Sequence, residues 1–333
     1  MKKMERRDFF NAILGGWAGL GLLRSKRSFK VYPKILAKKS EQTGVLVQVL
    51  GTAQDGGIPH IGCYCPNCLR AREDARFSRL ISSLALIDLE ENKYFILDTT
   101  PDIRRQSDAA RDRLGTEKQG RKNAPHAILL THAHIGHYTG LMFFGYEGMS
   151  TRGLPVYCTS RMGRFLSDNG PWSQLVRLEN ITLHTLHPGK EFSLTSRISL
   201  TPLEVPHRNE YSDTIGFRIS GEKKSLLYIT DIQSWKAWNR SIVEETEKVD
   251  IALLDGTFYS PNELPGRDMS QIGHPLIQTS LKTLEKVAKK GKIHIYFTHL
   301  NHSNLALDPE GEARKEITDK GFQLASDGEE FFL

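Results

Sequence analysis

Three histidines fall within six residues: His132, His134 and His137. Neutral imidazole is the commonest metal ligand near neutral pH. His132 and His134 are two apart, so on an extended backbone they face the same side. They follow Ala127-Ile128-Leu129-Leu130, an apolar run of strand character, and Gly140-Leu141 beyond His137 suggests a helix beginning. The nitrogens would then gather at the carboxyl end of a strand, where open α/β sheets place their sites. Further strand-like runs end in ligand-type residues. The run at 203–206 leads to His207, that at 226–230 to Asp231, and that at 292–298 to His299. A bound divalent cation lowers the pKa of water from about 15.7 to about 7, which makes hydroxide available at neutral pH. A second cation ~3.5–4 Å away would hold a substrate oxygen and steady a leaving one. Asp231 suits a bridge between two cations, because a carboxylate has two oxygens.

A second cluster has another character. Cys63, Cys65 and Cys68 lie within six residues. Neighbours this close are poor disulfide partners, and three is an odd number. Thiolates at this spacing suit a structural Zn²⁺. Cys158, alone in Pro155-Val156-Tyr157-Cys158, reads as a buried strand residue.

The elements that must position these groups are strand-rich. Strands are expected at 45–50, 83–88, 94–98, 127–130, 156–158, 181–184, 198–203, 214–219, 225–229, 251–255 and 292–297, with a hairpin turning at Glu91-Asn92. Helices are expected after Thr99-Thr100-Pro101-Asp102, over 232–249 and over 272–290, the last carrying Leu276, Leu281 and Leu284. Asp98 and Asp255 end strands and are placed to orient metal-bound imidazoles. Phe143, Phe144, Tyr146, Trp172, Tyr211 and Tyr259 are candidate pocket walls. Two blocks of strands and helices with polar strand ends fit a four-layer αββα sandwich.

The 333 residues are 39% hydrophobic and 25% charged, ordinary for a globular chain. The net charge of +6 is unevenly spread: residues 1–39 carry eleven Lys and Arg against Glu5 and Asp8. The remainder is mildly acidic, so no nucleic-acid partner is expected. Residues 5–23, with Arg6-Arg7, Phe9-Phe10 and a short Gly-rich apolar run, resemble a twin-arginine export signal. The run is too short to span a bilayer, which takes about twenty residues. Residues 1–42 are therefore read as a signal or anchor and 43–333 as the folded domain. The expectation is an exported, periplasmic protein that meets the export machinery, and meets the membrane through this segment alone if it stays uncleaved.

His132-x-His134-x-Gly136-His137 resembles the metallo-β-lactamase superfamily signature His-x-His-x-Asp-His, with Gly136 standing where the family carries Asp. The resemblance implies the αββα metallo-β-lactamase fold, His132, His134 and His207 on a first metal, His137 and His299 on a second, and Asp231 bridging. Two groups are similar. Most of residues 45–305 resembles the coenzyme PQQ synthesis protein B group, through Cys63-x-Cys65-x-x-Cys68, Thr99-Thr100-Pro101-Asp102, His137-Tyr138-Thr139-Gly140-Leu141, Asp213-Thr214-Ile215-Gly216 and Asp255-Gly256-Thr257-Phe258. The cyclic phosphodiesterase of phosphonate breakdown shares the Cys cluster and the ending Thr298-His299-Leu300-Asn301-His302. That second resemblance implies His302 as fourth ligand of the structural zinc and His274 as general acid. One or two divalent metals are expected in the active site, zinc first, with iron or manganese as alternatives. Without a carboxylate at 136, the second metal is left with His137, His299 and Asp231. It is expected to bind more weakly, and Gly136→Asp to tighten it. The leading expectation is a hydrolase acting on a phosphodiester, ester or lactone-like small molecule. The alternatives are an iron-dependent oxidoreductase linked to pyrroloquinoline quinone biosynthesis and a non-catalytic metal-pocket carrier.

Overall fold

A computed structural model of the protein describes residues 43–114, 123–264, 266–268 and 272–333. The expected export segment, residues 1–42, lies outside the described residues. None of the described helices is long and apolar enough to cross a membrane.

Fourteen strands are formed by the described residues: β1 Val45–Gly51, β2 Ser83–Asp88, β3 Lys93–Leu97, β4 Ala127–Leu129, β5 Leu154–Thr159, β6 Ile181–Leu186, β7 Phe192–Ser193, β8 Ser199–Val205, β9 Thr214–Ser220, β10 Ser225–Ile229, β11 Ile251–Asp255, β12 His294–Thr298, β13 Gln323–Leu324 and β14 Glu330–Phe332. They make two seven-stranded sheets, ordered β14-β1-β2-β3-β4-β5-β6 and β13-β12-β11-β10-β9-β8-β7. In each sheet an antiparallel half joins a parallel half: β3 to β6 run parallel in the first, and β10 to β13 in the second.

Alternation of side chains lets each sheet bury both faces. Val45, Val47 and Val49 of β1 face inward with Leu129, Phe217, Leu226, Tyr228 and Leu253, forming the core between the sheets. The intervening residues face outward. Leu46, Ile96, Ile128 and Val156 pack under Ile103–Asp112 and Ser160–Asp168. Leu227, Ile229, Leu254 and Phe297 pack under the helix Ile277–Lys289. Three buried layers between four structural layers make the αββα sandwich, as expected.

Two helices are shorter than the apolar spacing suggests. Over 232–249 only Ile242–Thr246 is α-helical, started by the Ser241 side chain accepting from Glu244 N. Upstream, Ile232 N donates to Asp255 Oδ2 and Gln233 N donates to Pro206 O, so these donors serve the neighbouring strand ends instead of a helix. Trp235 and Trp238 there are core anchors, donating to Ser280 Oγ and Glu204 O. The helix expected from 272 begins at Ile277. Pro275 disfavours a helical His274 before it.

Candidate metal centre

His132 and His134 leave β4 on an extended segment, and His137 lies in the short helix Ile135–Tyr138. His207 and Asp231 follow β8 and β10 by two residues each, and His299 follows β12 directly. All six converge. Side-chain exposure is 3% at Asp231 and 1% or less at every histidine except His134, which keeps 14%.

Asp231 stands in the middle and divides its two oxygens. Oδ1 lies 3.9 Å from His132 Nε2 and 3.7 Å from His207 Nε2. Oδ2 lies 3.4 Å from His137 Nε2 and 3.5 Å from His299 Nε2. One group is thus His132, His134, His207 and Asp231, and a second surrounds His137 and His299.

Hydrogen bonds on the far ring edges fix which nitrogen faces inward. Thr131 Oγ1 donates to Asp98 Oδ2, so it accepts from His132 Nδ1 at 2.9 Å. His137 Nδ1 donates to the same Asp98 oxygen at 2.7 Å. Thr257 Oγ1 donates to Asp255 Oδ1 and accepts from His299 Nδ1 at 3.0 Å. His134 Nε2 donates to Glu210 Oε2 at 3.2 Å. Those bonds occupy one nitrogen of each ring and turn the opposite nitrogen to the interior, the arrangement a metal-ligating imidazole needs. His132 Nε2 and His134 Nδ1 stand 2.9 Å apart, within hydrogen-bond reach of each other.

The interior atoms are orphans. Nε2 of His137, His207 and His299, and Oδ2 of Asp231, are buried without a hydrogen-bond partner. Several such atoms converging on one space call for an explanation in any folded chain. Divalent cations fit them, for every orphan is a ligand-type atom, and at His137 a metal would take the place of the proton that the carboxylates hold there. The electrostatics agree. Burial alone would lower the His137 pKa, yet Asp231, Asp98 and Asp55 lift it to about 10. Burial also works against the Asp231 carboxylate, but the surrounding histidines hold it well below the usual range. Burial pulls His207 down to about 4, leaving it a neutral ligand. The pocket therefore favours a cation.

One participant escaped the sequence reading. Asp55, in the turn after β1, sets Oδ1 3.5 Å from His137 Nε2, and this oxygen too is buried without a partner. Asp55, His137 and His299 form a third ligand-type group. A Cβ on Gly136 would lie 2.1 Å from Asp55 Oδ1 and 2.8 Å from its Cα. The expectation that Gly136→Asp tightens the second group is therefore overturned: the room is taken by Asp55. The available signal was the strand-end turn Gln54-Asp55-Gly56-Gly57.

His274 comes to the same centre. Its Nδ1 bonds Asp255 Oδ2 at 2.7 Å, and its ring lies 5.3 Å from that of His207 and 5.7 Å from that of His299. Burial works against its charged form, but Asp255 outweighs this and raises the pKa. The candidate pocket walls divide. Phe143 and Tyr146 line a surface cavity of about 340 Å³ that no histidine of the centre lines. Phe144 and Tyr259 are buried, Trp172 packs on Tyr138, and Tyr211 packs on Phe165.

Apart from this centre, the three closely spaced cysteines, Cys63, Cys65 and Cys68, gather with His302, the residue that the resemblance implied. His302 Nδ1 is 3.4 Å from Cys63 Sγ and 3.5 Å from Cys65 Sγ. All four cysteines are free thiols, with Cys158 buried in β5. Burial pushes the Cys68 thiol up to about 12, so a cation must displace its proton to bind. Three sulfurs and one imidazole match a closed tetrahedral zinc site.

Known proteins share this architecture. The Beta-lactamase superfamily domain matches residues 93–299. The chain belongs to that superfamily. Coenzyme PQQ synthesis protein B of Methylococcus capsulatus is 29% identical over 316 residues, spanning 87% of this chain and 100% of that protein. The protein of the same name from Rhizobium meliloti is 27% identical over 309 residues, spanning 86% and 97%. Among solved structures, Zn²⁺-bound PqqB from Methylobacterium extorquens shares the fold at a TM-score of 0.70 and 23% identity, over 86% of this chain and 100% of that one. A diphosphatase from the PhnP family superposes at 0.62 with 25% identity, over 87% and 98%.

Proposed function

We propose that this superfamily member is a metal-dependent hydrolase that cleaves a phosphodiester, ester or lactone-like small molecule. The carrying observation is the division of Asp231, one carboxylate oxygen toward His132 and His207, the other toward His137 and His299. In this reading His132, His134 and His207 hold one metal, His137 and His299 a second, and Asp231 joins them. Zinc suits imidazole and carboxylate ligands, and iron or manganese are the alternatives. Bound there, such metals supply Lewis acidity and an activated water at neutral pH.

The chain's own residues do the rest. Asp98, Thr131 and Thr257 hold the imidazoles in the tautomers that point lone pairs inward. Asp255 holds His274 by Nδ1, leaving Nε2 as the edge from which a proton passes to a leaving oxygen. Its raised pKa favours a protonated ring near neutral pH, where a general acid works best. His134 is the most open of the six groups, which makes it the natural approach for a substrate.

Turnover of a chromogenic phosphodiester, ester or lactone by the full chain tests this. His134→Ala is expected to abolish turnover, and His274→Gln to lower kcat by about 10²–10⁴-fold with little change in metal content. No turnover of any of the three classes by fully metallated protein would contradict the reading. The names of the relatives favour a second reading, a part in coenzyme PQQ synthesis, for which the chemistry weighed is that of an iron-dependent oxidoreductase. Oxygen uptake dependent on Fe(II) would favour it over hydrolysis. The same proposal sites the enzyme in the periplasm, on the strength of Arg6-Arg7 and the apolar run behind it. Cell fractionation of the wild type and of Arg6→Lys/Arg7→Lys checks this, the variant being expected to stay inside.

A further inference from the structure

We propose that Asp55 is the carboxylate ligand of the second active-site metal, reaching from outside the superfamily motif to take the position that Gly136 leaves open. The inference rests on the metallo-hydrolase reading and refines its ligand set.

Four observations carry it. First, Asp55 Oδ1 is buried, unpartnered and 3.5 Å from His137 Nε2. Second, it joins two fully buried imidazoles, His137 and His299, whose Nε2 atoms are also unpartnered and face the same space. Third, the Asp55 carboxylate fills the volume that a side chain at 136 would occupy, with Oδ1 2.1 Å from a Cβ built there. Position 136 and position 55 are therefore mutually exclusive sources of one carboxylate. Fourth, the backbone around Asp55 is tied to the metal strands. Ala53 bridges Leu300, Gln54 N donates to Leu300 O, and Leu300 N donates to Thr52 O. Those bonds set the turn beside His299. A further bond from Gly57 N to Gln54 O closes the turn tightly on Asp55.

With Asp55 included, the second group becomes His137, His299, Asp231 and Asp55. Two imidazoles and two carboxylates offer four ligands to a divalent cation, with net charge to match it. The weak second site expected from Gly136 alone becomes a full one. Asp55 and the Cys cluster both precede residue 93, where the matched domain begins. The ligand thus comes from outside the matched domain.

Metal titration of the full chain, followed by Co²⁺ absorption and by metal content after gel filtration, tests the proposal. Asp55→Asn should lose one of two histidine-centre equivalents while keeping the other and the equivalent at the cysteines. Gly136→Asp alone should gain no affinity, because its side chain meets Asp55. Asp55→Ala should lose the same equivalent. Circular dichroism accompanies each variant, and if Asp55→Asn fails to fold Asp55→Ala decides. The overturning result is a folded Asp55→Asn or Asp55→Ala protein that keeps both equivalents at wild-type affinity. If the wild type binds no metal at the histidines, the metallo-hydrolase reading fails first, and this outcome differs visibly from loss of one equivalent in Asp55→Asn.

Discussion

Asp98 shows how much one residue settles. Its carboxylate accepts from Thr131 N at 2.8 Å, from Thr131 Oγ1 at 2.8 Å and from His137 Nδ1 at 2.7 Å. It sits at φ 65, and His299 at φ 59, in a region that residues other than glycine rarely adopt. Such strain persists only where surrounding bonds hold it, and it clusters at functional sites. Asp98→Asn gives up one acceptor oxygen, and we expect the metal at His137 to bind about 10–100-fold more weakly, as removal of a ligand's partner does. A Zn²⁺ competition titration on the folded variant reads this, and unchanged affinity would contradict it. Asp98 and Asp255 were legible in the sequence as strand-end carboxylates. The ligand histidines were legible by spacing and chain order. Asp55 was not, because its partner, Gly136, is 81 residues away, and only folding reveals that one fills the other's space. The hydroxyls of Thr131 and Thr257 were silent for the same reason: their worth lies in bonding a carboxylate and imidazoles at once.

Loops after strands do most of the positioning. The segment at 52–57 is laced to Leu300, and a few residues later Cys63, Cys65 and Cys68 meet His302. Asn67 Nδ2 adds bonds to His302 O and Asn304 O. Zinc at the cysteines would therefore clamp the segment that carries Asp55 against the segment that carries His299. Cys68→Ser should lose the structural equivalent and also weaken the second equivalent at the histidines, leaving the first unaffected. Independent behaviour of the two sites would argue against the clamp. Another loop predicts a pH effect. Glu263 Oε1 accepts from Tyr259 N and Ser260 N, and Oε2 is buried without a partner. Burial raises its pKa to about 7. A raised folded-state pKa means the folded chain holds the proton more tightly, so this contribution is full below the unfolded value of about 4.3 and is lost as pH rises through about 7. Glu263→Gln should flatten that part of the fall in Tm between pH 4.5 and 7.5, and an unchanged slope would show that Glu263 is not the group responsible. At this scale the strands were legible from their apolar runs. The helix expected over 232–249 was not, because periodicity cannot see that Ile232 N and Gln233 N are committed to Asp255 and Pro206.

The whole molecule is a frame that brings strand ends from two sheets to one place. His132, His134 and His137 come from the first sheet, with Asp55; His207, Asp231, His274 and His299 come with the second. The core between the sheets therefore fixes the distance across Asp231. Phe217 is fully buried there, and Phe217→Ala should cost about 3–5 kcal/mol in denaturant unfolding. A loss under about 1 kcal/mol would contradict the packing described. Periodicity alone reached only mixed α and β; the two blocks of strands and helices with polar strand ends, and the resemblance carried by the histidine motif, supplied the layered architecture. Sheet order was out of reach, since pairings such as β1 with β14 join opposite ends of the domain. The central claim is that the histidine centre holds divalent metals while the cysteines hold another. The most direct test is metal content by mass spectrometry of the full chain, purified without chelators, beside Cys68→Ser and His132→Ala/His207→Ala. The account predicts three equivalents in the wild type, one of them lost in Cys68→Ser and another in His132→Ala/His207→Ala. A single equivalent that vanishes with Cys68→Ser and is indifferent to His132 and His207 would contradict it.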